Sequence, residues 1–206
     1  MKKLVLFVFA MLYTTVSFAV ANIVMPDLRM VSVVSERAES NNIIQHSVTN
    51  SISKFSANIR GALIKTGNFR VVDTLNESSE NNYLLVGEIN YIGENEDSYP
   101  ITDTNNITKQ YVVEVEADFK LVRVKDNVIM ANFSATGSSS DVKIISSDNK
   151  SDTGWHHNIG ALVQSASINL TSNVVDEMNT EYNFMITNEK KSKAESVVVT
   201  DVKVYN

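Results

Sequence analysis

Residues 111–123 read Tyr111-Val112-Val113-Glu114-Val115-Glu116-Ala117-Asp118-Phe119-Lys120-Leu121-Val122-Arg123, and after a turn the chain returns through Val128 to Gly137. Val113, Val115, Ala117, Phe119 and Leu121 alternate with Glu114, Glu116, Asp118 and Lys120. A period of two with β-branched and aromatic bulk on one side is a strand with one dry face and one wet face. The return strand fixes the register. A two-residue Asp126-Asn127 turn would set Lys120 against Phe133, charge against core. A three-residue Lys125-Asp126-Asn127 loop pairs Leu121 with Ala131, Phe119 with Phe133 and Ala117 with Ala135, and places Asn127 in the left-handed position that closes such loops.

Upstream, Ile44, Val48, Ile52, Phe55, Ile59 and Leu63 trace one stripe of a helix over 44–66, with Gly67 following as its left-handed terminator. Downstream, Trp155, Ile159, Leu162, Val163, Ala166, Leu170, Val174 and Met178 trace a second stripe, with Asp152 or Thr153 as its cap and Trp155 as core. Further strands are expected at Arg29 to Glu36, Phe69 to Thr74 and Tyr83 to Ile92. Both helices need an apolar surface and the strands supply one. The fold class is therefore α+β, two long amphipathic helices on a mixed, largely antiparallel sheet. Two polar stretches read as connections. Glu94 to Ile107 is expected to be an exposed loop, with Glu94, Asp97, Tyr99 and Pro100 as its interaction residues. Ser138 to Thr153 is the second, with a strand extension through Val142 to Ile145 left open. The tail has a charged link, Asn188 to Glu195, and then Ser196 to Val204 alternating as an edge or exchanged strand.

The N-terminus has the order of a secretory leader: Lys2 and Lys3, an apolar run from Leu4 to Val16, and small residues around Ala19 and Ala21. Cleavage after either alanine satisfies the small-residue requirement, with Ala21 the slightly favoured point. The apolar run is shorter than the roughly 20 residues that span a bilayer. These observations divide the chain into a signal peptide at 1–21 and a single domain at 22–206, whose C-terminal strand extension occupies about 188–206. Removing the leader's lysines takes the formal charge from −6 to about −8, which disfavours nucleic acid and anionic lipid as partners. The chain has no cysteine, so no disulfide, no thiolate metal site and no lipidated cysteine at the cleavage point. The expected location is the periplasm, without a direct membrane anchor.

Convergent chemistry is scarce. The histidines are His46, His156 and His157, and helix neighbours point about 100° apart, so the last two do not favour one metal. They read as partly exposed helix residues. Glu114, Glu116 and Asp118 share a face that would serve a hydrolase or small-ligand binder, the alternative reading, but the wet face of an antiparallel strand is the reading preferred for them. Ser138-Ser139-Ser140 lacks the glycine frame of a nucleophile elbow. No cofactor, catalytic residue or metal site is expected, and the chain reads as a non-enzyme.

Three strings resemble the CsgG/LpoB/TolB-N-terminal superfamily of bacterial envelope accessory proteins. They are the helix-to-strand join Ala62-Leu63-Ile64-Lys65-Thr66-Gly67-Asn68-Phe69-Arg70-Val71-Val72, the strand Tyr83-Leu84-Leu85-Val86-Gly87-Glu88-Ile89, and the hairpin Val113 to Gly137 with Phe119-Lys120-Leu121-Val122 before its turn. The resemblance implies helices on a mixed sheet and a role in protein contacts: activating peptidoglycan synthases, building secretion pores or flagellar rings, or serving the Tol system. Two departures matter. The chain has neither the anchoring cysteine of the family's lipoproteins nor the lipid-facing hairpins of its pore formers. What the resemblance leaves is a soluble accessory subunit with an envelope protein as partner, homo-oligomerisation staying open and a ring or pore component as the rival reading.

Overall fold

The computed structural model describes residues 20–31, 41–75, 81–146 and 157–198. Eight elements follow one another: β1 (Ala21–Val24), β2 (Arg29–Met30), α1 (Asn41–Lys65), β3 (Phe69–Val71), β4 (Asn82–Pro100), β5 (Asn106–Arg123), β6 (Val128–Ser146) and α2 (Ile159–Val198). The sheet order is β3-β1-β4-β5-β6, with β2 pairing with β4 off that path. β1 runs parallel to both β3 and β4, whereas β4, β5 and β6 form an antiparallel meander. The sheet is mixed and the fold is α+β, as the periodicity implied.

The quoted hairpin pairs as the core argument requires: Leu121 with Ala131, Phe119 with Phe133 and Ala117 with Ala135. Asn127 has a positive φ of 56°. The turn differs in detail. Arg123 pairs with Val128 and Val122 with Ile129, so the connection has one more residue than the alternation needs, and a bulge at Met130 restores the register. Val113, Val115, Ala117 and Phe119 are fully buried, and Phe119 stacks on Phe133 with ring centroids 5.4 Å apart. Both helices cover this face. Ile44, Val48, Phe55, Ile59 and Leu63 of α1 are buried there, as are Val163, Ala166, Leu170, Val174 and Met178 of α2. Gly67 takes φ +75° at the end of α1, the conformation its place after the stripe predicted.

Two expectations are corrected, and one left open is settled. The expected loop Glu94 to Ile107 is mostly strand: β4 continues to Pro100, β5 begins at Asn106, and every row from Glu94–Val113 to Pro100–Ile107 is paired. The polar residues there have weak strand propensity, but pairing along β5 overrides it. The strand extension left open in the second polar connection is formed, and it runs as far as Ser146, paired with Asn106. The tail is helix where a link and strand were expected, since α2 runs unbroken to Val198; the remainder of the expected strand lies outside the described residues.

The start of α2 is also revised. The side chain of Asn158 accepts a hydrogen bond from the Ala161 N–H at 3.1 Å, so Asn158 is the cap. Asp152, Thr153 and Trp155 lie outside the described residues. So do Ser32 to Glu36 of the expected first strand, of which β2 represents Arg29 and Met30.

Candidate functional site

Strand length sets the site. The core ends on β4 near Ile92 and on β5 near Tyr111, yet β4 continues eight residues to Pro100 with exposure rising on both faces. Residues 93–100 of β4, 106–112 of β5 and 139–146 of β6 thus form a three-stranded blade projecting past the helices.

The four residues picked from sequence all lie on the blade, but alternation splits them. Asp97 and Tyr99 face away from the helices, whereas Glu94 and Pro100 share the helix side. On the outer face Asn95 donates to Asp97 at 2.7 Å, and the charge of Asp97 raises the pKa of the Tyr99 phenol. Tyr99 is 51% exposed. Its row continues through Thr108 to Ile144, and the next through Asp97 and Gln110 to Val142.

On the helix side the sheet gathers a cluster that sequence reading missed. The Tyr111 hydroxyl donates to Glu94 Oε2, and the imidazole of His157 stacks on the Tyr111 ring at 3.8 Å with the planes 10° apart. Asp141 pairs with Tyr111 across β5 and β6, and its Oδ2 lies 3.7 Å from His157 Nδ1. Burial raises the Tyr111 pKa well above the usual phenol value, and the hydrogen bond to Glu94 adds to the shift. A tyrosine held protonated in this way donates a hydrogen bond and is no nucleophile at neutral pH. The cluster pins the start of α2 to the root of the blade. Nothing in the spacing of Glu94, Tyr111, Asp141 and His157 announces it, because four separate segments converge there.

The acidic row is placed on the open face, as alternation predicted. Asp118 is engaged there, accepting hydrogen bonds from Asn90 Nδ2 at 2.6 Å and from Ser134 Oγ. That divides the trio. Among the described residues no group of three or more His, Asp or Glu is placed to hold a metal ion. A groove of about 340 Å³ lies elsewhere, between α1 and α2, lined by Lys54, Asn58, Gly61 and Lys65 on one helix and by Gln164, Ile168 and Thr171 on the other. Its lining holds no carboxylate or imidazole to pair with the lysines. His46 is exposed on α1, and His156 lies outside the described residues.

The two expected cleavage points would differ in consequence. Ala21 is buried in β1, pairs with Phe69, and its N–H bonds the Asn68 carbonyl at 3.1 Å. Cutting after Ala21 removes that residue from the sheet, while cutting after Ala19, which lies outside the described residues, leaves β1 whole. No helix among the described residues is long and apolar enough to cross a membrane.

No family model matches the sequence, and no curated protein does. Solved structures of similar arrangement include a protein described as a homolog of neuraminyllactose-binding hemagglutinin from Helicobacter pylori. It shows 10% identity over 81% of this chain and 92% of that one, with a TM-score of 0.47. A minor lipoprotein from Acinetobacter baumannii shows 6% identity over 78% of this chain and 91% of that one, with a TM-score of 0.39. Likeness at this level assigns neither family nor role.

Proposed function

We propose that the chain is an exported accessory module of the bacterial envelope that binds a larger envelope protein through the outer face of the blade, around Tyr99 and Asp97. In this reading it performs no chemistry of its own. The observation that carries the reading is the overrun of β4 and β5 beyond their core. Ordering each residue costs about 1–2 kcal/mol of conformational entropy, and these rows bury little apolar surface to offset it. Strand pairing kept beyond the helices is expected where a second surface completes the packing. The leader-like N-terminus and the resemblance of the helix-to-strand join and hairpin to envelope accessory proteins support the same reading. The finer role is that of a synthase activator or of a secretion or flagellar ring subunit.

The test is site-specific photocrosslinking in cells that export the protein. A crosslinker at Tyr99 is expected to capture one envelope protein, while the same group at Lys125, in the turn at the far end of the meander, captures none. Equal capture from both positions, or none from Tyr99, overturns the reading.

A further inference from the structure

Among the described residues β6 is an edge of the sheet, and its outer side divides into a guarded part and an open one. The Val124 N–H donates to the Asn82 carbonyl at 2.9 Å, so the even-numbered residues of β5 turn their backbone groups to β4 and the odd ones to β6. The odd residues of β6 answer them, and the even ones face outward. Two are covered by α2: Asn173 Nδ2 donates to the Thr136 carbonyl and Asn169 Nδ2 to the Ser138 carbonyl, each at 2.6 Å. Past Ser138 the pairing with β5 stays in register to Ser146, so Ser140, Val142 and Ile144 also direct N–H and C=O outward. Among the described residues nothing pairs with them. Val142 is 55% exposed and Ile144 63%. An edge left open among the described residues is a template for another strand.

We propose that this edge binds the same edge of a second copy of the chain, antiparallel and centred on Val142. The sequence Ser140-Asp141-Val142-Lys143-Ile144 is complementary to itself in that register. Val142 faces the second copy's Val142 and Ser140 faces its Ile144, pairs that exchange backbone hydrogen bonds. Asp141 then lies opposite the second copy's Lys143 in the closer, non-bonded position, twice by symmetry. The neighbouring registers that keep each side chain on its own face set Asp141 against Asp141 or Lys143 against Lys143, and like charges directly opposite destabilise. The two-fold axis stands perpendicular to the sheet, so the meanders join into one sheet with all helices on one side. Asp141 keeps its place beside His157, at 3.7 Å. Two edges this short make a small interface, so the dimer is a weak one that forms at high micromolar protein. The inference stands on the edge and not on the outer face around Tyr99, so either can fail without the other.

Sedimentation velocity on the purified protein, from low micromolar to near-millimolar concentration, is expected to show a monomer–dimer equilibrium. Lys143→Asp and Asp141→Lys should each sediment as monomers at every concentration, because like charges then face across the axis. Mixed together they should form a heterodimer, since every Asp then meets a Lys. A variant that failed to fold would not be rescued in this way. The chain has no native cysteine, so Val142→Cys under mild oxidation should give a disulfide dimer faster than Ser138→Cys or Ile144→Cys, the symmetric pair at 142 lying within bridging distance. A wild-type monomer throughout the range overturns the proposal. So does a larger closed oligomer, a dimer indifferent to both charge reversals, or crosslinking that peaks away from 142.

Discussion

Tyr111 joins three strands and a helix start through one side chain. Its hydroxyl serves Glu94, its ring carries His157, and its neighbour across β6 is Asp141. Replacing it with Phe keeps the stack and removes the donor, and we expect a loss of about 1 kcal/mol in urea unfolding at neutral pH. The pH dependence has a definite sign. The folded pKa is raised above the unfolded value of about 10, so the stabilisation is complete below that pH and is lost as the pH rises through the folded value. The stability gap between wild type and Tyr111→Phe should therefore narrow above about pH 10, as read from urea midpoints across that range. The sequence made Tyr111 legible as the opening residue of a strand and nothing more. A site assembled by one residue from each of four segments leaves no local spacing to read. His157 illustrates the same limit, since a histidine just ahead of a helix has no sequence mark that distinguishes solvent from a ring stack.

Element contacts turn on Gly137, where α2 crosses β6. A Cβ at this position would lie 2.1 Å from the Ala166 carbonyl oxygen and 2.5 Å from the Leu170 nitrogen, backbone atoms that move only with the helix. Gly137→Ala is expected to destabilise by about 1–3 kcal/mol, measured by chemical denaturation, because the helix must lift from the strand. The same displacement withdraws Asn169 and Asn173 from the carbonyls they cover, so concentration-dependent aggregation should rise with it. The two amphipathic stripes and the hairpin register were readable because each is a local period repeated over many residues. The extension of β4, β5 and β6 was not. Glu94 to Ser98 has loop composition, and only the continuous ladder with β5 makes it strand. β1 was not legible for another reason: Ala21–Val24 follows the apolar N-terminal run with no change in composition to mark where one ends and the other begins.

Across the whole molecule, burial and projection are separated along the strands. The large side chains with almost no exposure, among them Phe55, Ile59, Leu85, Ile89, Phe119 and Leu170, belong to the helix-covered part, and the blade adds rows outside it. Replacing Ser98 to Lys109 with an Asn-Gly turn that joins the paired residues Asp97 and Gln110 should therefore change unfolding free energy by no more than about 1 kcal/mol. The exposed ion pair of Lys109 with Glu96, at 3.6 Å, is lost but contributes little. Partner capture should disappear while the circular dichroism of the helices stays unchanged. A shortened chain that unfolds outright would show that the blade supports the core.

For the exported chain proposed above, the sheet order would also bear on passage out of the cell. β1, the first strand of the chain, is enclosed between β3 and β4, and Phe69 of β3 is in turn covered by Tyr182 of α2, with ring centroids 5.2 Å apart. The first strand is thus sealed by a side chain synthesised some 160 residues later. Closing so many distant contacts is slow compared with the local events of helix and hairpin formation. If it is exported as proposed, a chain still being threaded through a translocation pore would lack the segment that completes its core, and so would stay extended enough to pass. Folding would then become possible on the far side, once the second helix had emerged.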